Sequence, residues 1–128
     1  MERAIQIFAL VQFVLVGVSH LVAPKAWGQF YQWLRSKEDA GVLAFASTRL
    51  WFGSIIVAFH PVWSGLPLLL TLFGWAQVVK ALVYFSFPRT GRKPLEWLAS
   101  GRPVVFAGGG VVLLALAGTL AFHLFSAA

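Results

Sequence analysis

Four apolar stretches, residues 4–23, 41–60, 66–87 and 103–126, take up most of this 128-residue chain and leave almost nothing for a soluble core. A hydrocarbon layer of about 30 Å is crossed by around 20 apolar residues in a helix. Lipid offers a backbone no hydrogen bonds, so such stretches cross as helices or not at all. The expectation is an all-α fold: a four-helix transmembrane bundle, with residues 1–128 forming a single integral membrane domain. Hydrophobic residues at 59% and charged ones at 11% sit far outside the range of a soluble domain.

The first stretch is expected to be retained as a helix. Met1-Glu2-Arg3 carries no positive bias, and the apolar run that follows exceeds the 7–15 residues usual in a signal peptide. Pro24 ends that helix, because the residue before a proline is pushed out of the α region. Beyond it, Trp27, Phe30, Tyr31 and Leu34 recur at i, i+3, i+4 and i+7 among Lys25, Gln29, Gln32 and Arg35. That pattern predicts a short amphipathic helix in the membrane interface, between the first and second membrane helices. His60 to Pro67 reads as a tight, uncharged connection. Pro88-Arg89-Thr90-Gly91-Arg92-Lys93-Pro94 reads as a polar loop, with one interfacial turn over Leu95–Ser100. No internal repeat stands out.

Charge sets the orientation. The first loop carries Lys25, Arg35 and Lys37, and the third carries Arg89, Arg92, Lys93 and Arg102, whereas the second loop carries none. The positive-inside rule places those two loops in the cytoplasm and both termini outside. Basic flanks of this kind orient helices or meet anionic lipid, so the net charge of +6 does not argue for a nucleic-acid partner.

Absences exclude several chemistries. Without cysteine there is no disulfide, thiolate nucleophile or thiolate-bound metal. All four acids, Glu2, Glu38, Asp39 and Glu96, lie at or beyond the helix ends. Small drug exporters driven by protons rely on a membrane-embedded carboxylate, which this chain lacks. No nucleophile–base set or metal cluster stands out, so no catalytic residue, enzyme activity or cofactor is expected.

Arg49 and Lys80 are the cations inside apolar segments, each about 10–12 Å from the cytoplasmic end of its helix at 1.5 Å per residue. An intramembrane charge is a functional candidate by default. Side chains tilt toward their helix N-terminus, so Arg49 is aimed at the nearer interface and Lys80 deeper into the membrane. The expectation is that Lys80 faces the bundle interior. Gln77, Lys80 and Tyr84 then form a stripe at i, i+3 and i+7. Gln12 and Ser19, with His20 at their flank, face them from the first helix, and Ser47 and Thr48 accompany Arg49. These residues predict a small polar pocket in the cytoplasmic half, suited to an anionic lipid headgroup or a small anion. Simple interhelical hydrogen bonding is the alternative. His60 and His123, both near the outer face, leave a haem- or quinone-associated subunit as a further alternative. The last segment, with Gly108-Gly109-Gly110, Ala115, Ala117, Gly118 and Ala121, is expected to be a packing helix.

The runs Gly17–Trp27, Phe59–Pro67 and Thr71–Trp75 give the chain a resemblance to small four-helix bacterial inner-membrane proteins, and its layout is similar to the DoxX-like group. The resemblance implies fold and location only, since no catalytic motif belongs to it. The functional expectation is a non-enzymatic membrane protein that binds an anionic lipid or small anion, or serves as an accessory subunit of a larger complex. A small transporter or channel, enclosed by a homo-oligomer, is the alternative.

Overall fold

A computed structural model describes residues 1–126 as six helices: α1 (Glu2–Val22), α2 (Pro24–Ser36), α3 (Glu38–Phe59), α4 (Leu68–Ser86), α5 (Pro88–Ala99) and α6 (Pro103–Ser126). Among the described residues α1, α3, α4 and α6 are long and apolar enough to cross a membrane. They form an all-α bundle in which α1 packs along α6 and α3 along α4. Both ends of the described chain and the 60–67 connection lie at one end of it. The shorter helices α2 and α5 pack against each other at the opposite end, and we call them the platform.

Proline makes both platform hinges. Ala23, before Pro24, adopts φ −129° and ψ 53°, and Phe87, before Pro88, adopts φ −133° and ψ 78°. Each proline then occupies the first turn of the next helix, where its missing N–H has no partner to lose. At the far end of each platform helix a left-handed residue turns the chain back into the bundle: Glu38 at φ 54° and Gly101 at φ 71°.

The polar loop expected over residues 88–94 is instead the first half of α5, a second amphipathic helix. Pro94 lies inside it, at a cost of about 3 kcal/mol in an ordinary helix interior. The buried stripe Gly91, Leu95 and Ala99 at i, i+4 and i+8 offsets that cost by packing onto the bundle. A Cβ at Gly91 would stand 2.5 Å from Val42 Cγ1, so only glycine lets α5 approach α3 this closely.

The chain is also built twice. The order of membrane helix, proline hinge, platform helix, left-handed turn and membrane helix runs through α1–α3 and again through α4–α6. An offset of 64 residues superposes Pro24 on Pro88, Trp33 on Trp97, Leu34 on Leu98 and Ser36 on Ser100. Ser36 Oγ donates to Trp33 O at 2.6 Å, and Ser100 Oγ donates to Trp97 O at 2.6 Å. The α1–α6 and α3–α4 pairs are therefore equivalent halves. Few residues match because membrane helices tolerate exchange among apolar side chains.

Two apolar clusters fill the bundle. Near the termini lie Ile5, Ala9, Phe13, Ile56, Leu70, Ala117 and Leu120, with Phe13, Phe52 and Phe73 in edge or tilted ring contacts of 5.1–5.9 Å. Toward the platform lie Tyr31, Leu34, Val42, Phe45, Leu95, Ala99 and Phe106.

Helix pairs close on glycine. A Cβ at Gly74 would lie 2.5 Å from Ile56 Cγ2, one at Gly53 would lie 2.8 Å from Gln77 Cβ, and one at Gly110 would lie 2.8 Å from Gly17 O. A Cβ at Gly118 meets nothing within 4 Å. Gly74→Ala and Gly110→Ala are therefore expected to cost about 1–3 kcal/mol, the usual penalty of overpacking, while Gly118→Ala leaves stability unchanged. Thermal unfolding in one neutral detergent compares them.

Candidate functional site

The intramembrane polar residues separate into three places rather than one pocket. Arg49 lies eleven residues into α3, so about 16 Å from the helix start and deeper than the sequence suggested. It is half-buried, with Cζ 4.4 Å from the Phe45 ring centroid. This cation–π contact partly replaces the water that the guanidinium lacks. The Tyr31 phenol lies beside it. Burial pushes that phenol above its ordinary value, and the Arg49 charge pulls the other way. Phe45 stacks on the half-buried Tyr84, and Tyr31 stacks on Phe106 at an interplanar angle of 8°. The expected polar pocket is thus an aromatic cluster with Arg49 at its edge.

Lys80 does not face the interior. It is exposed on the outside of the bundle, six residues from the end of α4 or about 9 Å. The buried stripe of α4 runs through Leu70, Gly74, Gln77 and Ala81. At 3.6 residues per turn Lys80 stands about 60° round from Gln77. Because α4 packs chiefly on α3 alone, its buried face is narrow and Lys80 falls beyond its edge. Gln77 is 7% exposed and lies against Gly53; its Oε1 is buried and accepts no hydrogen bond.

Ser19 and His20 belong to the α1–α2 joint. The Trp27 indole N–H donates to Ser19 Oγ at 2.8 Å, and the Trp27 ring stacks on His20 at 4.3 Å. His20 Nδ1 lies 2.7 Å from Val16 O; a carbonyl only accepts, so Nδ1 carries the proton. Gln12 is half-buried on α1.

The third place is at the termini end, where the sequence reading put little polarity. Among the described residues, three of the four buried polar ones, Gln6, His60 and Thr71, meet there, Gln77 being the fourth. Gln6 Nε2 is 3.0 Å from His60 Nε2, His60 Nδ1 is 2.9 Å from Thr71 Oγ1, and Thr71 Oγ1 is 2.7 Å from Val62 O. The Val62 carbonyl orders the whole chain. It takes the only hydroxyl proton, so His60 Nδ1 must donate to Thr71. His60 Nε2 then accepts from the Gln6 amide. His60 is neutral and 0% exposed, and burial holds its imidazole below the ordinary value, while Glu2 acts in the opposite sense. No local pattern marks this network, because Gln6 is 54 residues from His60.

Both His60 nitrogens are thus committed, and an axial haem bond shared with His123 would have to displace one of these partners. Among the described residues no group of three or more His, Cys, Asp or Glu could hold a metal ion.

Two surface cavities flank these places. One, of about 520 Å³, is lined by Met1, Glu2, Arg3, Ala58, Phe59 and Pro61, beside His60. The other, of about 370 Å³, is lined by Gln32, Arg35, Ser36 and Ala99, where α2 and α5 both end. Helix C-termini present carbonyls and partial negative charge, which Arg35 matches and which an anion would not. At the platform edge Arg92 donates to Asp39 Oδ1 at 2.7 Å and 2.9 Å. Both partners are exposed, so water and salt screen the pair and it adds little to stability.

No family model, no curated protein and no solved structure matches this chain.

Removing the Thr71 hydroxyl would strand the His60 Nδ1 proton in an apolar site. Thr71→Val is expected to cost about 1–3 kcal/mol, the penalty of a buried unpaired donor, and Thr71→Ser far less. Thermal unfolding at pH 8, where His60 is neutral in both states, makes the comparison.

Proposed function

We propose that this chain is a non-enzymatic multi-pass protein of the bacterial inner membrane that holds an anionic group at Arg49 and Lys80, either on its own or as an accessory subunit of a membrane complex. The observation that carries this reading is two cations at one level of the bundle with no carboxylate to pair them. Gly53 lies against Gln77, and α3 runs antiparallel to α4, so Arg49 comes level with Lys80 and Ala81. The four acids of the chain are at helix starts, or in the platform in the case of Glu96. An unbalanced cation in a low dielectric is costly, and an anion held at this level of the bundle offsets that cost.

The exposure of Lys80 favours a ligand that arrives from the lipid side. An anionic phospholipid headgroup fits better than an ion from solution. The platform, with Phe30, Trp33 and Trp97 exposed beside its Lys and Arg residues, suits the headgroup layer. We place it in the cytoplasm, since it carries five of the ten Lys and Arg residues and the turns that follow its helices add Lys37 and Arg102. Transport through a single copy has less support, because the Phe13–Phe52–Phe73 contacts separate the polar groups at the two ends.

Thermal unfolding in neutral detergent tests the binding reading, with added phosphatidylglycerol, phosphatidylcholine or inorganic phosphate. At a hundredfold excess over Kd a ligand stabilises by about 2.7 kcal/mol. Phosphatidylglycerol is expected to stabilise the wild type, and Arg49→Met and Lys80→Met are expected to lose that gain while remaining folded. Equal gains in wild type and variants refute the site. A gain from phosphate alone reassigns it to a soluble anion.

Orientation has its own test, since the chain contains no cysteine. In intact cells Ser64→Cys is expected to react with an impermeant maleimide, and Ser36→Cys and Thr90→Cys are not. The opposite pattern reverses the topology.

A further inference from the structure

We propose that His60 is a pH-operated latch: while neutral it holds α1 and α6 against α3 and α4 at the termini end, and on protonation it releases them. The bundle consists of two tightly closed pairs, and fewer contacts join one pair to the other. The platform joins them at one end, and the Phe13–Phe52–Phe73 cluster joins them within the bundle. At the termini end the tie is polar. The imidazole links Gln6 of α1 to Thr71 of α4 and, through Thr71, to the connection at Val62.

The tie works in one protonation state. Neutral His60 accepts from Gln6 at Nε2 and donates to Thr71 from Nδ1. A second proton would occupy Nε2 and face the Gln6 amide N–H, donor against donor. Turning the Gln6 amide over restores that contact but leaves a full charge at a site that is 0% exposed. Burying a charge without a counter-ion is the costly outcome, and opening to water avoids it.

Other titratable groups face this site from two directions. Glu2, one turn before Gln6 on α1, favours the charged imidazole, and His123 on α6 opposes it. From α4 the neighbour is the neutral Thr71 hydroxyl, and on α3 the nearest charged residue in sequence is Arg49. The cavity lined by Glu2, Arg3, Phe59 and Pro61 brings solution close to the ring.

The sign follows from the two states. Opened to water, His60 titrates near its ordinary value of about 6.5. Closed, it titrates lower because burial disfavours the charge. The open state therefore binds more protons, and acidification favours opening. Below about 6.5 each pH unit shifts the equilibrium by up to tenfold, until the closed-state value is passed.

Spin labels at Arg3→Cys on α1 and Ser64→Cys in the connection read the separation directly, in the full chain in nanodiscs at pH 8 and pH 5. The wild-type background is expected to lengthen on acidification. Gln6→Glu sets a carboxylate against Nε2, pairs the imidazolium, and reverses the response: that variant is expected to close as the pH falls toward about 6.5, with closing complete below it. An unchanged wild-type distance overturns the latch, and so does a Gln6→Glu variant that opens like wild type. Should Gln6→Glu fail to fold, His60→Phe keeps a planar ring without a titrating group, and opening in acid in that variant refutes the proposal. Loss of the response in His123→Gln also overturns it, by moving the trigger to α6.

Discussion

Close contact between helix backbones is the constraint on which the rest of this structure depends. Lipid is as apolar as leucine, so membrane helices associate through packing rather than through the hydrophobic effect. Here Gly53 and Gly74 bring α3 and α4 together, and Gly17 and Gly110 do the same for α1 and α6. The 64-residue offset carries Gly17 and Gly110 onto Ala81 and Ala46, which are both 0% exposed. Gly53 likewise corresponds to the buried Ala117, whereas Gly74 corresponds to the larger, half-buried Leu10. Such contact makes each pair narrow, and narrowness decides which side chains remain outside. Lys80 is one consequence.

The joint between the pairs uses different means. A polar chain through His60 serves the termini end, aromatic edges serve the interior, and two proline-led amphipathic helices serve the platform. Each platform helix buries a short stripe and leaves aromatic and basic residues outward. Aromatic rings with apolar bodies and polar edges suit the headgroup region, and so do long cationic side chains. The strongest specific interactions are thus at the two ends, where water and headgroups lie close.

Polar groups within the bundle show how lipid sorts chemistry. Ser19 and His20 satisfy themselves within the α1–α2 joint, and Gln6, His60 and Thr71 satisfy one another. Arg49 rests on an aromatic face, whereas among the described residues no carboxylate pairs with Lys80. Burying any of these without a partner would cost several kcal/mol. The cations that keep an unbalanced charge are the ones that give the bundle its chemical interest.

The sequence by itself determined the four membrane helices, the amphipathic α2 and the break at Pro24, because length, apolar run and proline geometry act locally. It also singled out Arg49 and Lys80, since a charge among apolar residues is visible without coordinates. It hid α5 behind Pro88, Gly91 and Pro94, residues that read as a loop until a bundle exists for Gly91, Leu95 and Ala99 to pack on. Only the tertiary structure decided that Lys80 lies outside, that Tyr84 stacks on Phe45, and that Gln6 reaches His60. The repeat was hidden as well, because it survives in helix order and hinge geometry more than in residue identity. The physical reason is the same throughout. Hydropathy fixes which segments enter the membrane, but the faces they turn to one another depend on how closely their neighbours approach.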